Sequence, residues 1–295
     1  MAQNKTKLIA SEAARMLDNA KIPCILVGWL ATNLAGVETN SLEVELVIPD
    51  DKLQAANAVF AAANFEPCRD STCNELKVRR RRIESPERLH YHPVPAWHTH
   101  LDSARYTLSL FLKSDILWWL PDFPLGSPAA NDPHLTVSTN PNLPLPAVSG
   151  QWGNLHPIKI LNPNSFTEAA ILLFCRNARH GERLGRVYSY MLAAMSESEL
   201  TGDKSKKVTR HLRPEFQPAW DCLNGWSPED TDPNSEMKRL RERLIARGAL
   251  GTLPPEHAPG GEANKETASR PFPLLRELNR RRGGCSLEDG INALH

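Results

Sequence analysis

Two short apolar runs with a glycine between them constrain this chain more than any other feature. Cys24-Ile25-Leu26-Val27 is rich in strand formers and runs straight into Gly28, while Leu42-Glu43-Val44-Glu45-Leu46-Val47-Ile48 alternates apolar and acidic residues before Pro49-Asp50-Asp51. The first run predicts a buried strand, a tight turn and then a helix over Leu30 to Ala35. The second has period two, so it predicts a strand that carries Glu43 and Glu45 on one face. Helical spacing of Leu8, Ile9, Ala13, Ala14, Met16 and Leu17 predicts a helix from Lys7 to Ala20, and Asp50 or Asp51 can cap another from Lys52 to Ala63. Tyr106 to Leu112 alternates again and predicts a further core strand, while the polar stretch Cys68 to Ser103 predicts one or two shorter strands and a loop.

The second half changes character. Ser165-Phe166-Thr167-Glu168 has capping-box spacing and predicts a helix from Phe166 to Ala178. Others are predicted over Glu182 to Met195, over Ser205 to Leu223 with an interruption near Pro214 or Pro218, and over Asn234 to Arg247. The chain has 24 Pro against 16 Gly, and the prolines gather mainly in 121–163, where Leu135–Val137 and Ile158–Ile160 could be edge strands, and in 254–273. These breaks divide it into a mixed α/β part (1–160), a helical part (161–250), and a Pro/Gly-rich linker with a short basic tail (251–295).

Charge and cysteine usage exclude whole classes. With 35 Lys and Arg against 34 Asp and Glu, the net charge of +1 supplies no field for nucleic acid or an anionic membrane, so such a contact needs a local patch. No run approaches the ~18 apolar residues of a membrane span, and no signal peptide is predicted. The six cysteines include no C-x-x-C pair, and four lie in apolar or helical stretches, a reduced-thiol pattern that suits the cytoplasm. A disulfide scaffold, a coiled coil and a disordered chain are all unexpected.

The order strand, glycine turn, helix, acid-alternating strand resembles the nucleotidyltransferase superfamily, in particular its minimal and AbiEii-like branches. The matching positions are Val27-Gly28-Trp29-Leu30-Ala31 and Leu42-Glu43-Val44-Glu45-Leu46. The resemblance implies an α+β fold, a mixed sheet flanked by helices followed by a helical C-terminal subdomain. It further implies transfer of a nucleoside monophosphate from ATP or another NTP to an acceptor. Glu43 and Glu45 would ligate Mg²⁺, and Gly28, Trp29 and the Ser41 hydroxyl would contact phosphate. The departures are specific. Trp29 stands at the family's second small residue, both aspartates are glutamates, and Ser109 stands where a third carboxylate is expected, with Asp102 and Asp115 only near the ends of that strand. The same alternation also fits an edge strand with one solvated face.

Three further features bear on function. The run Lys77-Val78-Arg79-Arg80-Arg81-Arg82 could place Arg79 and Arg81 on a leaving pyrophosphate if it is a strand beside Glu43, or, with Arg280-Arg281-Arg282, could bind RNA; Glu75, Glu84 and Glu87 neutralise much of it. His90, His92, His98 and His100 form an H-x-H pair at each end of a Pro-containing stretch, a metal-capable pattern with no cysteine or acid at finger-like spacing, or a source of one acid or base. Seven tryptophans, among them Trp29, Trp118 and Trp119, could fill the core or line a pocket for an apolar small-molecule substrate, the alternative to nucleotidyl transfer.

Overall fold

A computed structural model of the chain describes residues 2–39, 41–76, 81–82, 89–90, 93–102, 105–145, 152–177, 183–201, 210–227 and 232–253. The alternating acidic run forms β2 (Glu43–Ile48), and the run before Gly28 forms β1 (Ile25–Val27), antiparallel to it. The helix α1 (Ala2–Asn19) precedes them, α2 (Gly28–Leu34) joins them, and α3 (Leu53–Ala62) follows through a single 3₁₀ turn. Two short strands, β3 (Arg81–Arg82) and β4 (Leu89–His90), pair with each other in a separate two-stranded ladder. The edge strand β5 (Trp97–Leu101) then runs antiparallel to β6 (Tyr106–Leu112), which pairs in parallel with β2. After α4 (Lys113–Ile116), β7 (Leu135–Val137) and β8 (Lys159–Leu161) complete a six-stranded mixed sheet in the order β5-β6-β2-β1-β8-β7.

β2 is therefore interior, and all six of its residues are buried, which removes the edge-strand reading. Its alternation still separates the faces. Leu46, Leu110 and Trp97 lie in one row, and Trp97 stacks on Phe60 of α3 with ring centroids 5.1 Å apart. The buried stripe Ala10, Ala13, Ala14 and Leu17 of α1 belongs to the same core. At its C-terminal end Asp18 accepts from the buried Lys159 of β8 (3.2 Å) and pairs with His156 (2.8 Å), so the ammonium is buried with its counter-ion.

The other face is covered by helices. These are α5 (Pro163–Asn177), α6 (Arg183–Thr201), α7 (Gln217–Leu223) and α8 (Pro233–Ala246). α5 is buried nearly all round because β8, α6 and α8 surround it, and its residues share one apolar cluster with the sheet. Its cap is Asn162, whose Oδ1 accepts the Ser165 N–H at 2.9 Å. The expected Ser165–Glu168 capping box does not form, since Glu168 instead accepts the backbone N–H and the Nε–H of Arg213, both at 2.7 Å. Within the predicted helix over 205–223, residues 205–209 lie outside the described residues. The described part becomes helical only at Gln217, with Pro218 in the first turn, where a missing N–H costs nothing.

α8 is capped by Asp232, whose carboxylate accepts the N–H groups of Asn234 and Ser235. Partial burial pushes this carboxyl up, but the hydrogen bonds from Ser235 and Asn234 outweigh it and hold the group below its ordinary range. Asp232→Ala should cost about 1 kcal/mol, read as a lower urea midpoint at unchanged slope. A depressed native pKa gives stability that is present above the ordinary aspartate value and lost as pH falls through the native one. The cost of the substitution should therefore shrink in acid.

Candidate functional site

Strand register sets the site. Val27, Glu45, Ser109 and His98 stand directly opposite one another across β1, β2, β6 and β5, and Glu43, Thr107 and His100 form the neighbouring row on the same face. Cross-strand partners point the same way, so one polar row runs from the sheet centre to its edge. Glu43 and Glu45 are each 7% exposed. The Ser109 Cα is the register partner of Glu45, so the hydroxyl stands where the resemblance calls for a third acid.

Between this face and α5 and α6 lies a cavity of about 570 Å³ counted out to its mouth, beside Gly28. Trp29, Phe111, Leu173, Val187 and Met191 are among its walls, and Glu45 and the Tyr188 phenol are its polar side chains. Burial pushes the Tyr188 phenol above its ordinary range and the Glu45 charge acts in the same direction, so the phenol keeps its proton and can donate. A buried acceptor and a buried donor thus face an apolar space.

Gly28 has φ of +69°, the left-handed region. A Cβ there would overlap the Glu45 carboxylate, which packs directly against the glycine Cα. The place where a backbone turn would receive phosphate is thus filled by the chain's own carboxylate. Ser41 is also committed, because its buried hydroxyl accepts the Glu43 N–H at 3.1 Å. It holds the start of β2.

The remaining expectations divide. Arg79 and the Arg280–Arg282 run lie outside the described residues. Arg81 is on β3, which pairs with β4; the neighbours of β2 are β1 and β6, so the Arg81 strand does not lie beside Glu43. Of the seven tryptophans, Trp29 alone is among the cavity's lining residues. Trp118 instead donates to the Ala249 carbonyl (3.0 Å) under the Arg176 guanidinium, and the Trp119 ring meets the edge of His134. The cavity is mainly aliphatic and aromatic, with Trp29 as its one tryptophan wall.

His98 and His100 lie on β5, and His98 is 3% exposed. Cys68 and Cys73 meet them, with one potential ligand atom from each of the four side chains lying within 4.8 Å of the others. Those cysteines were not singled out by the sequence. The available signal was Trp97-His98-Thr99-His100-Leu101, whose alternation places both imidazoles on one strand face.

No helix among the described residues is long and apolar enough to cross a membrane. No family model, curated protein or solved structure matches the chain.

Proposed function

We propose that this chain uses a nucleotidyltransferase-like scaffold to bind, and through Glu45 and Tyr188 to orient, an apolar small molecule that carries one hydrogen-bonding head group. The observation that carries this reading is the cavity beside Gly28, whose walls are apolar and whose turn is already filled by the Glu45 carboxylate. Among the described residues that line the cavity, a triphosphate brought there would meet a carboxylate and apolar side chains and no cation to pair its charge. A ligand with an apolar body and a hydroxyl or amine loses only weak hydration, donates to Glu45 and accepts from Tyr188.

One observation favours the second reading, transfer of a nucleoside monophosphate from ATP or another NTP with Mg²⁺ on Glu43 and Glu45. The two carboxylates share a face two residues apart, as a cation shared with phosphate oxygens requires. Two titrations separate the readings. N-phenyl-1-naphthylamine, a neutral apolar amine, should bind with enhanced fluorescence at one site and be excluded by Ala170→Phe, which fills the cavity wall. Calorimetry with ATP and Mg²⁺ should give no heat. A Mg²⁺-dependent ATP signal that Glu43→Gln abolishes, with no amine binding, would replace the first reading by the second.

A further inference from the structure

At the edge of the sheet, away from the cavity, two thiols and two imidazoles converge. The segment after α3 runs along the open side of β5: the Cys68 N–H donates to the His98 carbonyl at 2.9 Å, and the Thr99 hydroxyl donates to the Glu66 carbonyl at 2.6 Å. A turn closed by the Cys73 N–H on the Asp70 carbonyl (3.0 Å) brings Cys73 back beside Cys68. On β5, His98 and His100 project from one face with ring centroids 5.3 Å apart and planes at 86°. The Cys73 sulfur lies 3.2 Å from His100 Nε2, and the Glu75 backbone N–H reaches the same sulfur.

We propose that Cys68, Cys73, His98 and His100 form a tetrahedral Zn²⁺ site. Zinc–sulfur bonds of ~2.3 Å and zinc–nitrogen bonds of ~2.0–2.1 Å place tetrahedral ligand atoms roughly 3.3–3.8 Å apart, within the 4.8 Å that these four already span. Two thiolates and two imidazoles suit zinc, whereas Mg²⁺ and Ca²⁺ take oxygen ligands. A disulfide between the cysteines would use only two of the four converging groups. Four protein ligands close the coordination sphere, so the ion is structural: it pins segment 66–73 along the outer side of an edge strand. The Glu75 N–H···S contact is the kind of outer contact that holds a thiolate ligand in place.

The full chain, expressed in zinc-supplemented medium and purified without a metal-binding tag, should carry about one zinc per chain by elemental analysis. Stripped and reloaded with Co²⁺, it should show the intense visible bands of tetrahedral cobalt together with thiolate-to-cobalt charge transfer. Cys68→Ser, at a partly exposed position, and Cys73→Ser should each lose charge-transfer intensity and weaken zinc binding by more than about 100-fold, beyond the loss typical of an outer contact. Cys222→Ser, outside the cluster, should leave the cobalt spectrum unchanged. A folded wild-type chain that gives an octahedral cobalt spectrum, or a Cys68–Cys73 disulfide in protein purified under reducing conditions, would overturn the assignment. So would a tetrahedral cobalt site that persists in both serine variants.

Discussion

Arg210→Met should lower the unfolding free energy by about 3–5 kcal/mol, because it leaves a buried carboxylate without its cation. Arg210 and Glu199 are both 0% exposed at their side chains, with Nη1 3.2 Å from Glu199 Oε2. The Arg210 backbone N–H donates to the other carboxylate oxygen at 3.1 Å. The guanidinium also donates to the Ala35 carbonyl at 2.8 Å and to the Met195 carbonyl at 3.4 Å, and sits over the Trp220 ring. One side chain thus ties the end of α2 to α6, which forms one wall of the cavity, and to α7. Burial pulls this guanidinium below its ordinary range while Glu199 opposes the shift, so the pair survives only as a pair.

The sharper half of the expectation concerns the double variant. Glu199→Gln/Arg210→Met removes both charges, so its cost should fall below the sum of the single substitutions by at least about 1 kcal/mol, the coupling usual for groups in direct contact. Guanidinium unfolding of the four proteins measures this. Additive costs, or an Arg210→Met variant within about 0.5 kcal/mol of wild type, as a surface substitution would be, would mean that the ion pair does not hold these helices.

What the sequence could disclose follows from how far each contact reaches. Period two in 42–48 sufficed to put Glu43 and Glu45 on one face, because alternation is a property of the strand itself. Whether that strand lay at an edge depended on β6, some sixty residues later, and no local pattern encodes that pairing. The cysteine and histidine cluster was hidden for the same reason. Cys68 and Cys73 are separated by four residues in an irregular segment, and their partners alternate with Trp97 and Thr99 in a strand that adjoins a proline-containing stretch. The cap of α5 lies three residues before the Ser165 that the capping-box spacing points to, because Asn162 and Ser165 are both capping residue types. Glu168 could not complete the box, being taken by Arg213 from 45 residues away. Trp29 at the turn was legible as an oddity. Its role as a cavity wall required α5 and α6 to be placed opposite.

Gly28→Ala should cost more than its backbone term alone, and Glu45 should account for the excess. A residue with a Cβ at φ of +69° costs about 1–2 kcal/mol relative to glycine. The added methyl would also occupy the position of the Glu45 carboxylate, which is 7% exposed. Moving that carboxylate displaces it from the turn and toward the apolar wall, where desolvation is unfavourable. In the Glu45→Ala background the overlap is gone, so only the backbone term remains and the cost of Gly28→Ala should drop back to about 1–2 kcal/mol. Equal costs in the two backgrounds would mean that the carboxylate moves aside freely, and the turn would then have room for an incoming group. The same four proteins report on function. If Glu45 fills the turn and orients an apolar ligand, Gly28→Ala should weaken N-phenyl-1-naphthylamine binding in the wild-type background and leave it nearly unchanged when Glu45 is alanine. If the turn instead receives phosphate through its backbone, the added methyl should abolish ATP binding whether or not Glu45 is present.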